Sequence, residues 1–460
     1  MSLPRASQTL LAGLERRATQ ILARLAPAVE HAELRLEHGE TLSVSVRDGA
    51  LEQIGEARSL GLSLRLVCAG RVAAITTNDL RPAALEAFLA DAVALARLAD
   101  EDPHAEPPPR RAQARGWPEL DLFDATIRRL GADRATRLAT LAEAAALQAD
   151  PRITASGGAA CSRTVTHALL ATSTGFRGPS AGTRVALRAH VTASDAAGRR
   201  CSGHYWSGGR HLTSLEPPEI VGREAAHRAL RSLGAAPIAT GVYPVVFAPE
   251  AAAGLVGLVA SCLLGDAVVR GRSYLGARLG TRVAGPQVTL VDDPLRARGP
   301  ASRGFDGEGL ATRRRVLVRR GELVGFLLDT ASARRLDLAT TGSTGSAGGG
   351  GGLVHPTTSN FYMQAGRRGP RSLLAGIRRG LYVRATLGLG FDPATGHFSR
   401  GAEGVLIEDG RLTRPVAEVT ISRDLDALLH GIDAVADDLE LRVAIASPSF
   451  RVDAMTVAGT

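Results

Sequence analysis

The stretch Leu42-Ser43-Val44-Ser45-Val46-Arg47-Asp48-Gly49-Ala50-Leu51 alternates apolar and polar residues and then meets an Asp-Gly pair. Period two belongs to a strand with one buried face, and Asp-Gly tolerates the left-handed backbone that closes a tight hairpin. Working outward, residues 32–36, 51–57, 62–67 and 72–76 read as further strands, with turns expected at His38-Gly39 and Ala69-Gly70. Residues 8–25 switch to helical spacing, with Leu10, Leu11, Leu14, Ile21 and Leu25 on one side, and a second helix is expected over 82–99. Sheet hairpins flanked by helices give an α+β fold.

Residues 100–118 are Pro-rich and charged, which predicts a linker or long surface loop. Beyond them the pattern repeats: a helix over 132–149, strands over 153–161, 164–173, 185–193 and 201–207, and a helix over 218–233. Gly234-Ala235-Ala236-Pro237 marks the main boundary. A strand at 243–247 and a small-residue helix at 250–265 open the remainder, followed by short strands, Gly turns and a helix expected at 371–378. The expected organisation is an N-terminal α+β domain (1–100), a central α+β domain after the Pro-rich linker (101–237), and a strand-rich, barrel-like or sandwich C-terminal domain (238–460).

The 460-residue chain has a net charge of +9, yet it contains no Lys, so all 55 basic residues are Arg. Abundant Ala and Gly beside Arg point to codon bias, and the Arg doublets are scattered among acidic residues rather than gathered in a phosphate-binding patch. The four cysteines, Cys68, Cys161, Cys201 and Cys262, are far apart and form no CxxC, which fits a reducing compartment. Glu15, Arg16 and Arg17 interrupt the first apolar stretch, so no signal peptide is expected. The longest uncharged apolar run, 251–265, is too short to span a bilayer. A cytoplasmic location without membrane association follows as the expectation.

Chemistry-bearing patterns are few. Cys201, His204 and His211 form the one Cys/His cluster, but on a strand Cys201 and His204 point to opposite faces. Asp306 and Glu308 are two apart and would share one face of a strand. They suit either an acid/base pair or a turn braced by backbone N–H donors. Residues 341–352 are a Gly/Ser-rich loop without the GK[ST] of a Walker A phosphate loop, so a surface loop or a flap over a cavity is expected. No cysteine sits in a recognisable reactive motif.

An ordered set of boxes resembles the TldD/PmbA family over nearly the whole chain. In the first part it comprises Asp48-Gly49-Ala50-Leu51-Glu52, Ser59-Leu60-Gly61-Leu62-Ser63-Leu64-Arg65, Gly70-Arg71 and Thr77-Asn78-Asp79-Leu80. Later come Phe305-Asp306-Gly307-Glu308-Gly309, Ser332-Ala333-Arg334, Ser343-Thr344-Gly345, Gly380-Leu381-Tyr382-Val383, Thr395-Gly396-His397-Phe398-Ser399-Arg400-Gly401-Ala402, Glu408-Asp409-Gly410, Pro415-Val416 and Thr456-Val457-Ala458-Gly459. The TldD branch resembles zinc proteases, with an HExxxH helix and a C-terminal Cys; two His hold Zn²⁺ and Glu activates its water. The corresponding helix here reads Pro249-Glu250-Ala251-Ala252-Ala253-Gly254-Leu255-Val256, with Glu250 but no His, and 438–449 has no Cys. That pattern resembles the PmbA/TldE branch. It implies a subunit with no catalytic or metal-binding residue of its own, paired with a TldD-like zinc subunit that cuts peptides or unfolded proteins; homodimers could form when the chain is alone. Phe305, Asp306, Glu308, Gly309, Ser343, Thr344, Gly345 and His355 are the candidate substrate- or partner-facing residues. Two competing readings are a self-sufficient metallopeptidase with non-standard ligands and an Arg-rich nucleic-acid-associated regulator.

Overall fold

In the computed structural model, which describes residues 3–346 and 354–460, the chain begins with helix α1 (Arg5–Leu25). Three strands follow, β1 (His31–Arg47), β2 (Ala50–Cys68) and β3 (Arg71–Thr77), and then α2 (Pro82–Leu98). Asp48 and Gly49 at +52° and +75°, and Ala69 and Gly70 at +51° and +71°, make the two tight turns. After the short α3 (Ala125–Arg128) and α4 (Ala132–Leu147) come β4 (Ile153–Thr172), β5 (Arg177–Ser194), β6 (Arg200–Gly209) and α5 (Pro218–Leu230). All six strands join in one antiparallel sheet of order β3-β2-β1-β4-β5-β6, in which β1 pairs with both β2 and β4.

The turn expected at His38-Gly39 is absent. β1 runs straight through, with Gly39 opposite Ser59 on one side and Thr166 on the other, and β2 and β4 are likewise unbroken. The interruption in apolar alternation has another cause. Ala32, Leu34 and Leu36 pack under α1 and α2, whereas Leu42, Val44 and Val46 on the same face pack under α4 and α5. The polar residues between them mark the seam of two helix layers. His38 and His167 face each other there, and His167 is fully buried beside Phe123 at a ring separation of 5.7 Å.

The Pro-rich stretch is a clasp rather than a free linker. Ala105 is buried, Arg65 donates to its carbonyl, and Arg334 donates to the carbonyls of His104 and Pro107 at 3.2 and 3.4 Å. Ala114 N–H donates to Gly309 at 2.8 Å, while Arg110, Arg111 and Arg115 stay exposed. Its backbone finds partners from both halves of the molecule, which composition could not reveal.

The C-terminal part begins with β7 (Gly241–Phe247) and α6 (Pro249–Cys262). Five strands close into a barrel: β7, Arg379–Leu387, Ser399–Glu408, Arg411–Ser422 and Phe450–Ala458, the last pairing with both β7 and Arg411–Ser422. Phe247, Leu381, Val383, Leu406, Val419, Ile421 and Val452 share one core with Ala252, Leu255, Val256 and Val259 of α6. A smaller sheet of order Glu322–Leu323, Arg315–Arg319, Leu290–Asp292, Phe361–Met363 and Ile445–Ala446 packs beside it. The helix expected at 371–378 is a short 3-10 turn, Pro370–Leu374, ended before Gly376 at φ +79°. No helix among the described residues is long and apolar enough to cross a membrane.

Candidate functional site

The segment 305–309 folds into a turn because Asp306 accepts from three backbone N–H groups. Its Oδ1 takes Glu308 and Leu310 at 3.0 and 2.9 Å, and its Oδ2 takes Thr344 at 3.1 Å. Gly309 completes the turn at φ +77°, where a side chain would also strike the Phe176 ring. Gly307 N–H donates to the Thr344 carbonyl, so the turn is stitched to the strand Thr344–Ser346. Phe305 reaches the other way, packing edge-on against Trp117 at 4.6 Å and Phe176 at 5.3 Å.

Glu308 is 3% exposed, and its Oε2 receives the Thr330 N–H and hydroxyl at 3.0 and 2.9 Å and the Thr344 hydroxyl at 3.0 Å. Burial, then the charges of Asp306, Glu33 and Asp329, push its carboxyl up to about 8 against the pull of Arg65. Burial raises Asp306 as well, opposed by its three backbone donors. Those donors favour the charge on Asp306 and leave the proton on Glu308. The N-terminal sheet faces this pair with its own polar group. Burial would raise Glu33, but Arg65 at 3.2 Å and His31 at 3.2 Å hold its carboxyl below the usual range.

A cleft of about 780 Å³ lies between the sheet and the C-terminal part. Arg35, Thr164, Thr166, Arg184 and Arg210 line it from the sheet side, Leu120 to Phe123 from the loop, and Arg303 to Gly307 with Thr344 and Gly345 from opposite. Of the residues singled out from sequence, Phe305, Asp306, Thr344 and Gly345 thus reach the cleft, whereas Glu308, Gly309 and Ser343 are not in its lining. His355 is exposed on the strand Val354–Pro356, opposite Gly345. The part of the Gly-rich flap at 347–353 lies outside the described residues. His31, Glu33, Thr330, Arg184 and Arg210 were not singled out from sequence; for His31, Glu33 and Arg184, polar residues at alternate positions of long strands were the available signal.

Cys201, His204 and His211 do not converge. The Cys201 thiol donates to Ser232 at 3.3 Å, His204 is exposed opposite His190, and the His211 Nε2 lies 2.9 Å from the Asp121 carbonyl oxygen. On α6, Glu250 pairs with Arg228 of α5 at 2.7 Å. Among the described residues no three His, Cys, Asp or Glu side chains are grouped to hold a metal ion. The residues present therefore do not fit the zinc site of the TldD branch.

Three consecutive family models match the chain: PmbA/TldA metallopeptidase domain 1 at 32–96, the central domain at 126–233 and the C-terminal domain at 240–459. The metalloprotease PmbA of Escherichia coli is 32% identical over 428 residues, covering 93% of this chain and 92% of that protein. A Bacteroides thetaiotaomicron protein, described as a candidate modulator of DNA gyrase, has a crystal structure that superposes with a TM-score of 0.89. It is 27% identical, with 98% of this chain and 99% of that one covered. TldE from Thermococcus kodakarensis shares the fold at a TM-score of 0.84 and 19% identity, over 96% of this chain and all (100%) of its own. Domain matches in order, end to end, and a relative of this identity over this length lead to one conclusion: the chain belongs to the PmbA/TldD metallopeptidase family.

Proposed function

We propose that this chain is the non-catalytic subunit of a TldD/TldE-type metallopeptidase, working in the cytoplasm on peptides or unfolded proteins beside a zinc-bearing TldD-like subunit. One observation carries the reading. The helix that would supply zinc ligands, α6, offers Glu250 without a His, and that carboxylate is engaged by Arg228. A zinc hydrolase needs about three protein ligands and an open position for water, so bond breaking falls to the partner. This chain's part is binding and geometry. Its cleft is within the usual size range for holding a ligand, and an extended peptide offers main-chain groups to such a surface.

The test is reconstitution. The purified chain and a TldD-like zinc subunit are assayed on an unstructured peptide, separately and mixed. The mixture should cleave, and a chelator should abolish the cleavage; this chain alone should not cleave. Chelator-sensitive cleavage by this chain alone, or a zinc subunit whose activity is indifferent to it, would overturn the proposal.

A further inference from the structure

Two guanidinium groups in the cleft converge on a single carbonyl oxygen. Arg184, on β5, donates from Nη2 to the Pro300 oxygen at 2.7 Å, and Arg210, just after β6, donates from Nη2 to the same oxygen at 2.8 Å. Arg210 also reaches the Gly299 oxygen from Nε at 3.4 Å. Carbonyls accept hydrogen bonds but carry no net charge, so two positive charges stand together uncompensated. Among the described residues neither Arg has a carboxylate within ion-pair distance. The acids lining the cleft are engaged: Glu37 with Arg35 at 2.7 Å, Asp121 with Arg298 at 2.6 Å and with His211, Asp306 with its three backbone donors, and Glu119 as well.

The neighbourhood is shaped around the pair. Gly182 leaves the space that Arg210 occupies, since a side chain there would begin 2.9 Å from its Nη1. Burial and the nearby Arg184 lower the Arg210 guanidinium to about 10, the mark of a cation short of a counter-charge. Arg303, in the same lining, is held at 3.3 and 3.4 Å by the Thr358 and Thr357 carbonyls and leaves its Nε–H unbonded. Arginine forks match the planar, two-oxygen geometry of a carboxylate, and such charged bonds are the strong ones.

We propose that Arg184 and Arg210 form an anchoring site for the C-terminal carboxylate of the bound peptide. The inference rests on the peptide-binding reading above and names the group that reading leaves open. The pair holds the substrate by its negative end and takes no part in bond breaking.

The experiment measures binding of the full chain to two fluorescent peptides of one sequence without acidic residues, one ending in a free carboxylate and one in an amide. The acid form should bind about tenfold more tightly, the effect of one charge-assisted contact, and added salt should narrow the gap. Arg184→Gln, at an exposed position, and Arg210→Gln should each bring the preference below about threefold while binding of the amide is unchanged. Because Arg210 also ties the sheet to Pro300, melting temperatures accompany it, and Arg184→Gln stands alone if Arg210→Gln unfolds. Equal binding of the two peptides overturns the site but leaves the peptide reading intact, as does a preference that survives in Arg184→Gln. Binding of neither form overturns both. If inorganic phosphate raises the melting temperature through these two residues while the peptides bind alike, the site takes small anions and the peptide assignment falls.

Discussion

Asp306 shows how a carboxylate in a family box can serve the fold. Three backbone N–H groups, from Glu308, Leu310 and Thr344, end on its two oxygens inside the protein. Asp306→Ala would leave all three buried without an acceptor. At roughly 1 to 3 kcal/mol for each unsatisfied donor, the variant should lose about 3 kcal/mol or more, read as a lower urea midpoint before any change in binding. Glu308 is the opposite case. Its carboxyl is pushed up to about 8 in the fold against an ordinary 4.5. The stability it contributes is therefore fully present below about pH 4.5 and is lost as pH rises through about 8. Glu308→Gln has no proton to lose and can still accept from Thr330 and Thr344. Relative to the unmodified protein it should gain melting temperature at pH 9 compared with pH 5. Parallel shifts at the two pH values would show that Glu308 is not the titrating group. The spacing of Asp306 and Glu308 suited an acid/base pair or, more often for such a pair before Gly, a braced turn; the hydrogen bonds decide for the brace at Asp306.

Elements were legible wherever one signal had one cause. The Asp48-Gly49 and Ala69-Gly70 turns, α1, α2 and α4 could be read locally, because hairpin chemistry and helical spacing act over a few residues. His38-Gly39 misled because a lapse in apolar alternation signals either a turn or, as here, the gap between two helix layers over one strand. The parallel pairing of β7 with Arg379–Leu387, which helps close the barrel, joins segments far apart in the chain and leaves no local trace. The clasp at 100–118 makes a sharper forecast than its composition did. In a brief digest, a protease of broad specificity should cut first near the exposed Arg110, Arg111 or Arg115 and spare the largely buried 243–265. The two fragments should then co-elute on gel filtration, since β1–β4 pairing and the Arg334 bonds to His104 and Pro107 bridge the cut. Fragments that separate would show that the clasp does not hold. Where α4 crosses α5, a side chain on Gly222 would begin 2.0 Å from the Ala142 oxygen. Gly222→Ala should therefore cost about 2 kcal/mol in chemical denaturation despite the better helix propensity of Ala.

Across the whole molecule, the question is whether this chain could carry its own zinc. Zn²⁺ needs deprotonated or neutral donors converging at about 2.0 to 2.3 Å. The donors here are dispersed, and several already have other work. Burial pushes the Cys161 and Cys262 thiols up to about 11, so neither offers a thiolate at neutral pH. The Cys201 thiol is raised by burial too and bonds Ser232; His211 is taken by Asp121; Glu250 is taken by Arg228. To recruit these groups the protein would have to break the Glu250–Arg228 and His211–Asp121 pairs and ionise buried thiols before gaining one coordination bond. The chain purified without chelator should hold far less than one zinc per molecule by elemental analysis. Because a bound structural metal stabilises the fold it belongs to, a chelator should also leave the melting temperature unchanged within about 1 °C. Mixed with a zinc-bearing partner, the complex should carry metal in proportion to the partner alone. One tightly held zinc per chain, with a melting temperature that falls on its removal, would mean that ligands outside this accounting assemble a centre and that the chain can act by itself.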